Sequence, residues 1–348
     1  MSKYRSLGTI DGGIFGGGAS RSGNFAGGAP LRMNDAAITN GGAFLASELE
    51  KLDPKISEPL TSVTYPRDIR VKVGGGWVET IAKMNIDYGV SGGSQNGPVS
   101  APGSNTDAII QARIGKDVFG THLYSSTLRI PFVDMQRQQV TGRSLEQLLN
   151  EGLRLNYDKH METNVYLGLE EYGTTGLINN PNVFAQSVTI GAGTQTEWAG
   201  KTPDEILADV NSAILAGWAA SEYDLSAIPN HILIPYTQYT LLQTTKVSPI
   251  AEKTIMTFLL ENNVARLNGG DLVIGATAFC KGAGAGNTDR MIAYVNHDRF
   301  LAVEELVPLA RTMTQPNTDK KSYDSIYMAN LSEVEIFYEQ PITYWDGI

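Results

Sequence analysis

Two strand-like arms joined by a tip that has nothing to pack constrain this chain more than any other feature. Residues 77–88 carry Trp77, Ile81, Met84, Ile86 and Tyr88 at strand-like spacing, and residues 109–129 return as a second strand that Ile130, Pro131 and Phe132 close. Between them, residues 89–105 are a run of Gly, Ser, Asn, Gln, Pro and Val that holds no fixed structure by itself. Each arm of about 12 residues reaches roughly 40 Å at about 3.3 Å per residue. An isolated two-stranded hairpin is marginal in water, so one of this length needs a neighbouring surface to lie on. An ordinary β-sandwich edge with a disordered loop is the alternative reading of the same segment.

Glycine is concentrated in the same part of the chain. Of 37 glycines in 348 residues, 11 lie in residues 1–42 and 10 in residues 74–120. The first block has too little apolar content to bury and too much backbone freedom to lose, which predicts an unanchored arm. Neither a following Gly-Lys-Ser/Thr nor a preceding buried strand accompanies the glycine run at residues 11–20, which argues against a phosphate-cradling loop. Phe44, Leu45, Leu49 and Leu52 place a short helix over 43–52, stopped by Asp53 and Pro54. Ile69, Val71 and Val73 alternate as a half-exposed strand, and Gly74, Gly75 and Gly76 mark a turn or a crossing point.

After the hairpin comes a long helix. Ser144 with Gln147 forms a capping-box start and Gly173 a stop. Between them Leu145, Leu149, Leu153, Tyr157, Met161, Val165 and Leu169 recur every four residues. Each step of four drifts about 40° around the axis, so a helix of roughly 40 Å touches different partners along its course. A second amphipathic helix covers 202–220: Thr202 caps it, Pro203 and two acids open it, and Ile206, Val210, Ile214 and Trp218, with Leu207 and Leu215, face inward. A buried strand over 231–235, a helix over 249–261, and strands over 271–279, 290–296 and 300–306 follow, before a tail in which Val334, Ile336 and Tyr338 alternate. The mixture reads as α+β.

The chemistry-bearing residues do not assemble into a motif. His122, His160, His231 and His297 are far apart in sequence, and none belongs to a two-histidine zinc helix. His160 reads as a solvated helix-face residue and Cys280 as a small core residue. The carboxylate pairs Glu170/Glu171, Glu304/Glu305 and Glu333/Glu335 read as surface acidity, since adjacency in the chain does not set the spatial separation a glycosidase needs. One cysteine forms no internal disulfide and fits a reducing compartment. No stretch approaches a membrane span, and the first ten residues lack a signal-peptide core, so the chain is expected to stay where it is made. Charged residues are 18 % against roughly 25 % in typical soluble domains. Residues 143–348 hold 13 basic and 25 acidic side chains, which argues against tight nucleic-acid binding.

The order of these parts resembles a family. A polar amino-terminal arm, an extended hairpin, a long helix ending in Gly-Leu-Ile-Asn-Asn-Pro-Asn-Val at 176–183, a Thr-Pro-Asp-Glu helix and a closing Glu-Gln-Pro-Ile-Thr-Tyr-Trp-Asp-Gly-Ile at 339–348 together resemble a tailed-bacteriophage major capsid protein. That family has the Hong Kong-97 type capsid fold, shared with encapsulins. The resemblance implies an N-terminal arm over 1–65, an extended β-hairpin loop over 66–131, and a peripheral domain over 132–224 with a spine helix at 144–172. An axial domain over 225–310 and peripheral return strands over 311–348 would complete it.

The same resemblance implies a non-enzymatic homo-oligomer without cofactor or membrane. Hexamers and pentamers would build an icosahedral virion shell in the host cytoplasm, enclosing packaged double-stranded DNA without binding it tightly or specifically. Scaffold, portal and decoration proteins are the further partners it allows; the arm is too short and glycine-rich to be a cleaved scaffolding segment. Trp77, Lys83, Tyr88, Gly89, Asn96, Asn105, Phe119 and Arg129 are the assembly contacts expected. Lys83 is the only lysine early in the hairpin, but no motif selects an asparagine partner, so no crosslink is expected. An encapsulin-like compartment enclosing a cargo enzyme is the first alternative, and a carbohydrate-active enzyme the second.

Overall fold

A computed structural model of the chain describes residues 62–91, 109–141, 145–248 and 252–348. The arm up to residue 61, the helix expected over 43–52, the hairpin tip with Asn96 and Asn105, and Ser144 lie outside the described residues. One turn of helix, α1 (Tyr65–Asp68), leads to β1 (Val71–Val73), and β2 (Thr80–Ser91) and β3 (Ile109–Pro131) form the hairpin. Helices α2 (Phe132–Thr141) and α3 (Leu145–Tyr166) follow, then β4 (Phe184–Ser187) and α4 (Pro203–Ala220). Next come β5 (His231–Ile234), α5 (Tyr236–Thr244), α6 (Ile255–Glu261), β6 (Val273–Ala276) and β7 (Arg290–Tyr294). The chain closes with β8 (Leu301–Asn317), β9 (Ser322–Ser332), β10 (Glu335–Ile336) and β11 (Thr343–Asp346).

These strands make two sheets. The first runs β1-β8-β9-β3-β2 with β10 on β8, and the second β4-β11-β7-β5-β6. Strand β3 changes partner along its length: Ile109–Gly120 pairs with β2, and Thr121–Pro131 pairs with β9. In the second sheet the short apolar runs Ile232-Leu233-Ile234 and Met291-Ile292-Ala293-Tyr294 are buried throughout, the pattern of strands covered on both faces. Pairing crosses the expected divisions: β8 runs unbroken through 310/311, and β4 and β11 share the sheet of β5, β6 and β7.

The four-residue row on α3 is a burial row: Leu153, Tyr157, Met161 and Val165 are all buried. The helix ends at Tyr166, short of the expected 172, so Leu169 is outside it. Gly168 takes the left-handed conformation (φ 72°), and its amide donates to the carbonyls of Thr163 and Asn164. Residues 176–183 then fold back over this end. The amides of Leu177 and Ile178 donate to the carbonyls of Val165 and Tyr166 at 2.9 and 3.1 Å, which satisfies groups a helix terminus otherwise leaves open. A Cβ on Gly176 would lie 2.3 Å from the Tyr166 carbonyl, so only glycine fits the approach. The Tyr344 hydroxyl donates to the Leu177 carbonyl at 2.6 Å and ties the closing segment to the same place.

Helix α4 has the expected capping box between Thr202 and Glu205, with Pro203 in its first turn. It buries Ile206, Val210, Ala213 and Ile214, but Leu215 is exposed and Trp218 only partly covered. Asp209, on the buried side, is satisfied by Lys201 and the Trp198 indole at 2.5 and 3.1 Å. A second polar knot anchors the start of the described chain. Asp68 is wholly buried; it accepts from Arg67, from His231 Nε2 at 3.0 Å and from the Tyr166 hydroxyl, while its carbonyl accepts from Tyr294 at 2.5 Å. On the facing side Glu162 accepts from the amides of Thr64 and Tyr65 at 2.8 and 3.1 Å and so caps α1.

Candidate assembly surface

The register of the hairpin sorts its side chains into two unlike faces. Residues directly opposite in an antiparallel pair point to the same side. Ala82, Met84, Ile86, Tyr88 and Val90 therefore share a face with Val118, Lys116, Ile114, Ala112 and Ile110. The other face holds Lys83 with Asp117, Asn85 with Gly115, Asp87 with Arg113 and Gly89 with Gln111. Asn85 Nδ2 donates to Asp117 at 2.8 Å on that polar side. On the apolar side nothing among the described residues covers the ladder: exposure runs from 51 % at Ile86 to 80 % at Met84. Seven large apolar side chains open to solvent on one ribbon face form the kind of contiguous patch that marks an interaction surface.

The root of the hairpin is fixed firmly to the first sheet. Gly74, Gly75 and Gly76 all have positive φ (120°, 127° and 80°), and a Cβ on Gly75 would meet Leu306 at 2.5 Å. Gly74 and Gly76 donate to the carbonyls of Glu305 and Leu306, and Asn330 Nδ2 donates to the carbonyls of Gly76 and Val78. The Gly120 amide donates to Glu333 at 2.7 Å. Ser322, Asp324 and the rest of β9 hold the other half of β3 over eleven consecutive pairs.

Several residues expected as contacts are engaged within their own subunit. Lys83 Nζ lies 3.1 Å from Glu335, 3.6 Å from Glu304 and 3.8 Å from the centre of the Phe337 ring. Glu335 is wholly buried, a correction to its reading as surface acidity. Burial pushes its pKa up, Lys83 pulls the other way, and Glu304 adds to the rise. Phe119 packs edge-on against Phe337 at 5.7 Å. Arg129 donates twice to Asp324 on β9 at 2.9 and 3.0 Å, and this guanidinium, despite some desolvation, holds the Asp324 carboxyl far below the usual carboxylate range. Trp77 and Tyr88 are exposed, and Gly89 sits opposite Gln111 on the open ribbon. Asn96 and Asn105 lie outside the described residues.

Met84, Ile86, Ile110, Ile114 and Val118 carry the open face and were not among the expected contacts. The signal that finds them is the parity of the two arms once the register is fixed, which a glycine-rich tip of unknown path withholds. Catalytic readings find little support in the surroundings. Glu305 accepts from the Tyr157 hydroxyl at 2.5 Å and Glu333 from Gly120, so these two acids are structural ties, while Glu170 and Glu171 are exposed. Among the described residues, no group of three or more His, Cys, Asp or Glu side chains is placed to hold a metal ion, and no helix is long and apolar enough to cross a membrane. Cys280 is buried in the core.

Comparisons with known proteins agree with this architecture. The subunit of the capsid of Myoviridae phage XM1 superposes with a TM-score of 0.73 at 17 % identity, covering 88 % of this chain and all of that one. The Microbacterium phage Oxtober96 structure gives a TM-score of 0.59 at 10 % identity, over 91 % and 99 % of the two chains. The capsid of an empty GTA particle gives 0.55 at 11 %, over 90 % and 99 %. These likenesses establish the Hong Kong-97 type α+β fold. No curated protein matches the sequence. The sequence profile of the major capsid protein family matches residues 101–348, and the chain belongs to that family.

Proposed function

We propose that copies of this chain assemble as hexamers and pentamers into the icosahedral head of a tailed phage, enclosing packaged double-stranded DNA. Its role is structural, that of a self-assembling shell subunit in the virion; we read it as non-enzymatic and as assembled in the host cytoplasm. The observation that carries this reading is the open apolar face of the β2–β3 ribbon, which extends from a rigid root and has no cover among the described residues. A second subunit supplies the cover. In this scheme residues 1–65 are the arm, 66–131 the extended loop, 132–224 and 311–348 the peripheral part, and 225–310 the axial part. Trp77, Tyr88 and Gly89 join the contact, and Asn96 and Asn105 extend it at the tip. Lys83, held by Glu335 and Glu304, stays with its own subunit, in keeping with a shell that lacks lysine crosslinks. The acidic balance of residues 143–348 favours DNA that is enclosed rather than gripped. Electron microscopy of the purified full-length protein tests the proposal. Closed icosahedral shells support it; a protein that stays monomeric at every concentration and salt overturns it, and shells filled with one cargo enzyme in place of nucleic acid reassign it to the encapsulin branch.

A further inference from the structure

We propose that His122 and His160 form an acid-operated latch between the sheet-bound half of β3 and the middle of α3. Their Nε2 atoms are 3.3 Å apart and their ring centres 5.4 Å, which sets the two imidazoles nearly end to end. His122 is 6 % exposed and His160 half-buried, a correction to the reading of His160 as a solvated helix-face residue. A neutral imidazole has one donor and one acceptor nitrogen, so the contact is a single N–H···N hydrogen bond between two neutral rings.

The surroundings are aromatic and uncharged. Tyr124 of β3 lies 5.1 Å from His160 and 5.3 Å from Tyr157 of α3, and Tyr172, on the short turn after α3, lies 5.9 Å from His122. On β9, Leu331 stands opposite His122. The charged groups on these elements are occupied or turned outward. Glu162 of α3 accepts from Thr64 and Tyr65, Glu333 after β9 accepts from Gly120, and Glu170 and Glu171 are exposed beside Tyr172. Asp158 and Lys159 precede His160 on the helix, and among the described residues neither forms an ion pair or hydrogen bond with either ring. Among the described residues, no carboxylate is therefore placed to stabilise an imidazolium here.

Protonation of this pair proceeds in two steps that belong to the pair as a whole. A first proton leaves an imidazolium facing an imidazole, which still share one hydrogen bond. A second makes both Nε2 atoms donors at 3.3 Å with no acceptor between them, and the contact opens. Burial, with the neighbouring His160 charge adding to it, pushes His122 down to about 4, and burial also lowers His160. Since the folded values lie below the unfolded value near 6.5, the unfolded chain binds more protons in this window. The stabilisation is complete above about pH 6.5 and is lost as the pH falls towards about 4. Two other ties between α3 and the sheet hold no group that titrates there: Asn164 donates to the Ser332 carbonyl at 2.9 Å, and Tyr327 donates to Asn150 at 2.6 Å. Acid thus loosens the hairpin root locally while the helix stays docked.

The test is a proton NMR titration of the histidine Cε1–H signals in the full-length chain, with thermal unfolding measured in parallel from about pH 7 to about pH 4.5. The expected result is a His122 signal that titrates near pH 4, roughly 300-fold weaker in proton affinity than a free imidazole. The thermal midpoint should fall by about 5 °C across the range, and His122→Phe, which keeps the aromatic packing, should remove that fall. Should His122→Phe fail to fold, His160→Gln keeps a hydrogen-bond donor beside His122 and removes the second charge, and the His122 titration should then rise above its wild-type value while burial still holds it below about 6.5. A His122 signal titrating near 6.5 in the wild type, an equal acid loss in His122→Phe, or a thermal midpoint raised by added Zn²⁺ at pH 7 would each overturn the proton latch.

Discussion

Replacing Ile114 by threonine separates what the hairpin face does for the subunit from what it does between subunits. Ile114 leaves 68 % of its surface open. That is roughly 120 Å² of side chain, and covering it is worth about 3 kcal/mol at about 25 cal/mol per Å². Threonine keeps the β-branched shape, loses about half of that gain and adds a buried hydroxyl, together about 2 kcal/mol per contact. At about 1.4 kcal/mol per factor of ten, the contact weakens about 30-fold. Within the subunit the residue directly opposite is Ile86, and loss of that cross-strand pair costs less than about 1 kcal/mol. Light scattering and sedimentation over a concentration series read the assembly threshold, while urea unfolding of the unassembled subunit reads its stability. The threshold should rise about 30-fold with the urea midpoint barely moved, and Gln111→Thr on the opposite, polar face should change neither. An unchanged threshold in Ile114→Thr, or an equal rise in Gln111→Thr, refutes the assignment of the apolar face as the one that is covered.

Two further outcomes concern the fold. Gly176→Ala places a methyl group 2.3 Å from the Tyr166 carbonyl; urea unfolding should show a loss of about 3 kcal/mol, and wild-type stability would mean that the helix end does not need this close approach. Asp68→Asn leaves Arg67 and His231 without their carboxylate and should cost about 3 kcal/mol at neutral pH. Burial alone would raise the Asp68 pKa, but the hydrogen bonds from Arg67, His231 and Tyr166 outweigh it and leave it lowered. The wild-type advantage is therefore present above about pH 4 and shrinks as the pH falls through the folded value, so the two urea midpoints should converge in acid.

The parts legible in the sequence are those that local chemistry decides. The four-residue row from Leu153 to Val165 needs only the helix pitch to become a buried stripe, and Thr202, Pro203 and Glu205 open α4 through contacts within one turn. Both hairpin arms show their alternation. What stayed hidden depends on residues brought together from afar. Strand β8 runs on to Asn317 past Pro308 and Pro316, residues that ordinarily argue against a strand; register shifts around 305–313 let the ladder with β9 continue. The end of α3 is set by Gly168 and by the return of Gly176, ahead of the Gly173 that the sequence favours. Glu335 reads as a surface acid until Lys83, some 250 positions earlier, is seen beside it. The open face needed the register, because a one-residue slip would exchange the polar and apolar sides.

The change of partner at residue 120 of β3 has a mechanical meaning. One continuous strand carries both the projecting ribbon and eleven consecutive pairs to β9. Tension applied to the ribbon along the strand axis acts across these ladder bonds, which lie perpendicular to the strand. They are loaded together in shear, instead of being opened one after another from an end. A subunit gripped by its hairpin can thus be pulled hard without its sheet unzipping, and the same strand that reaches out serves as the anchor for its own load.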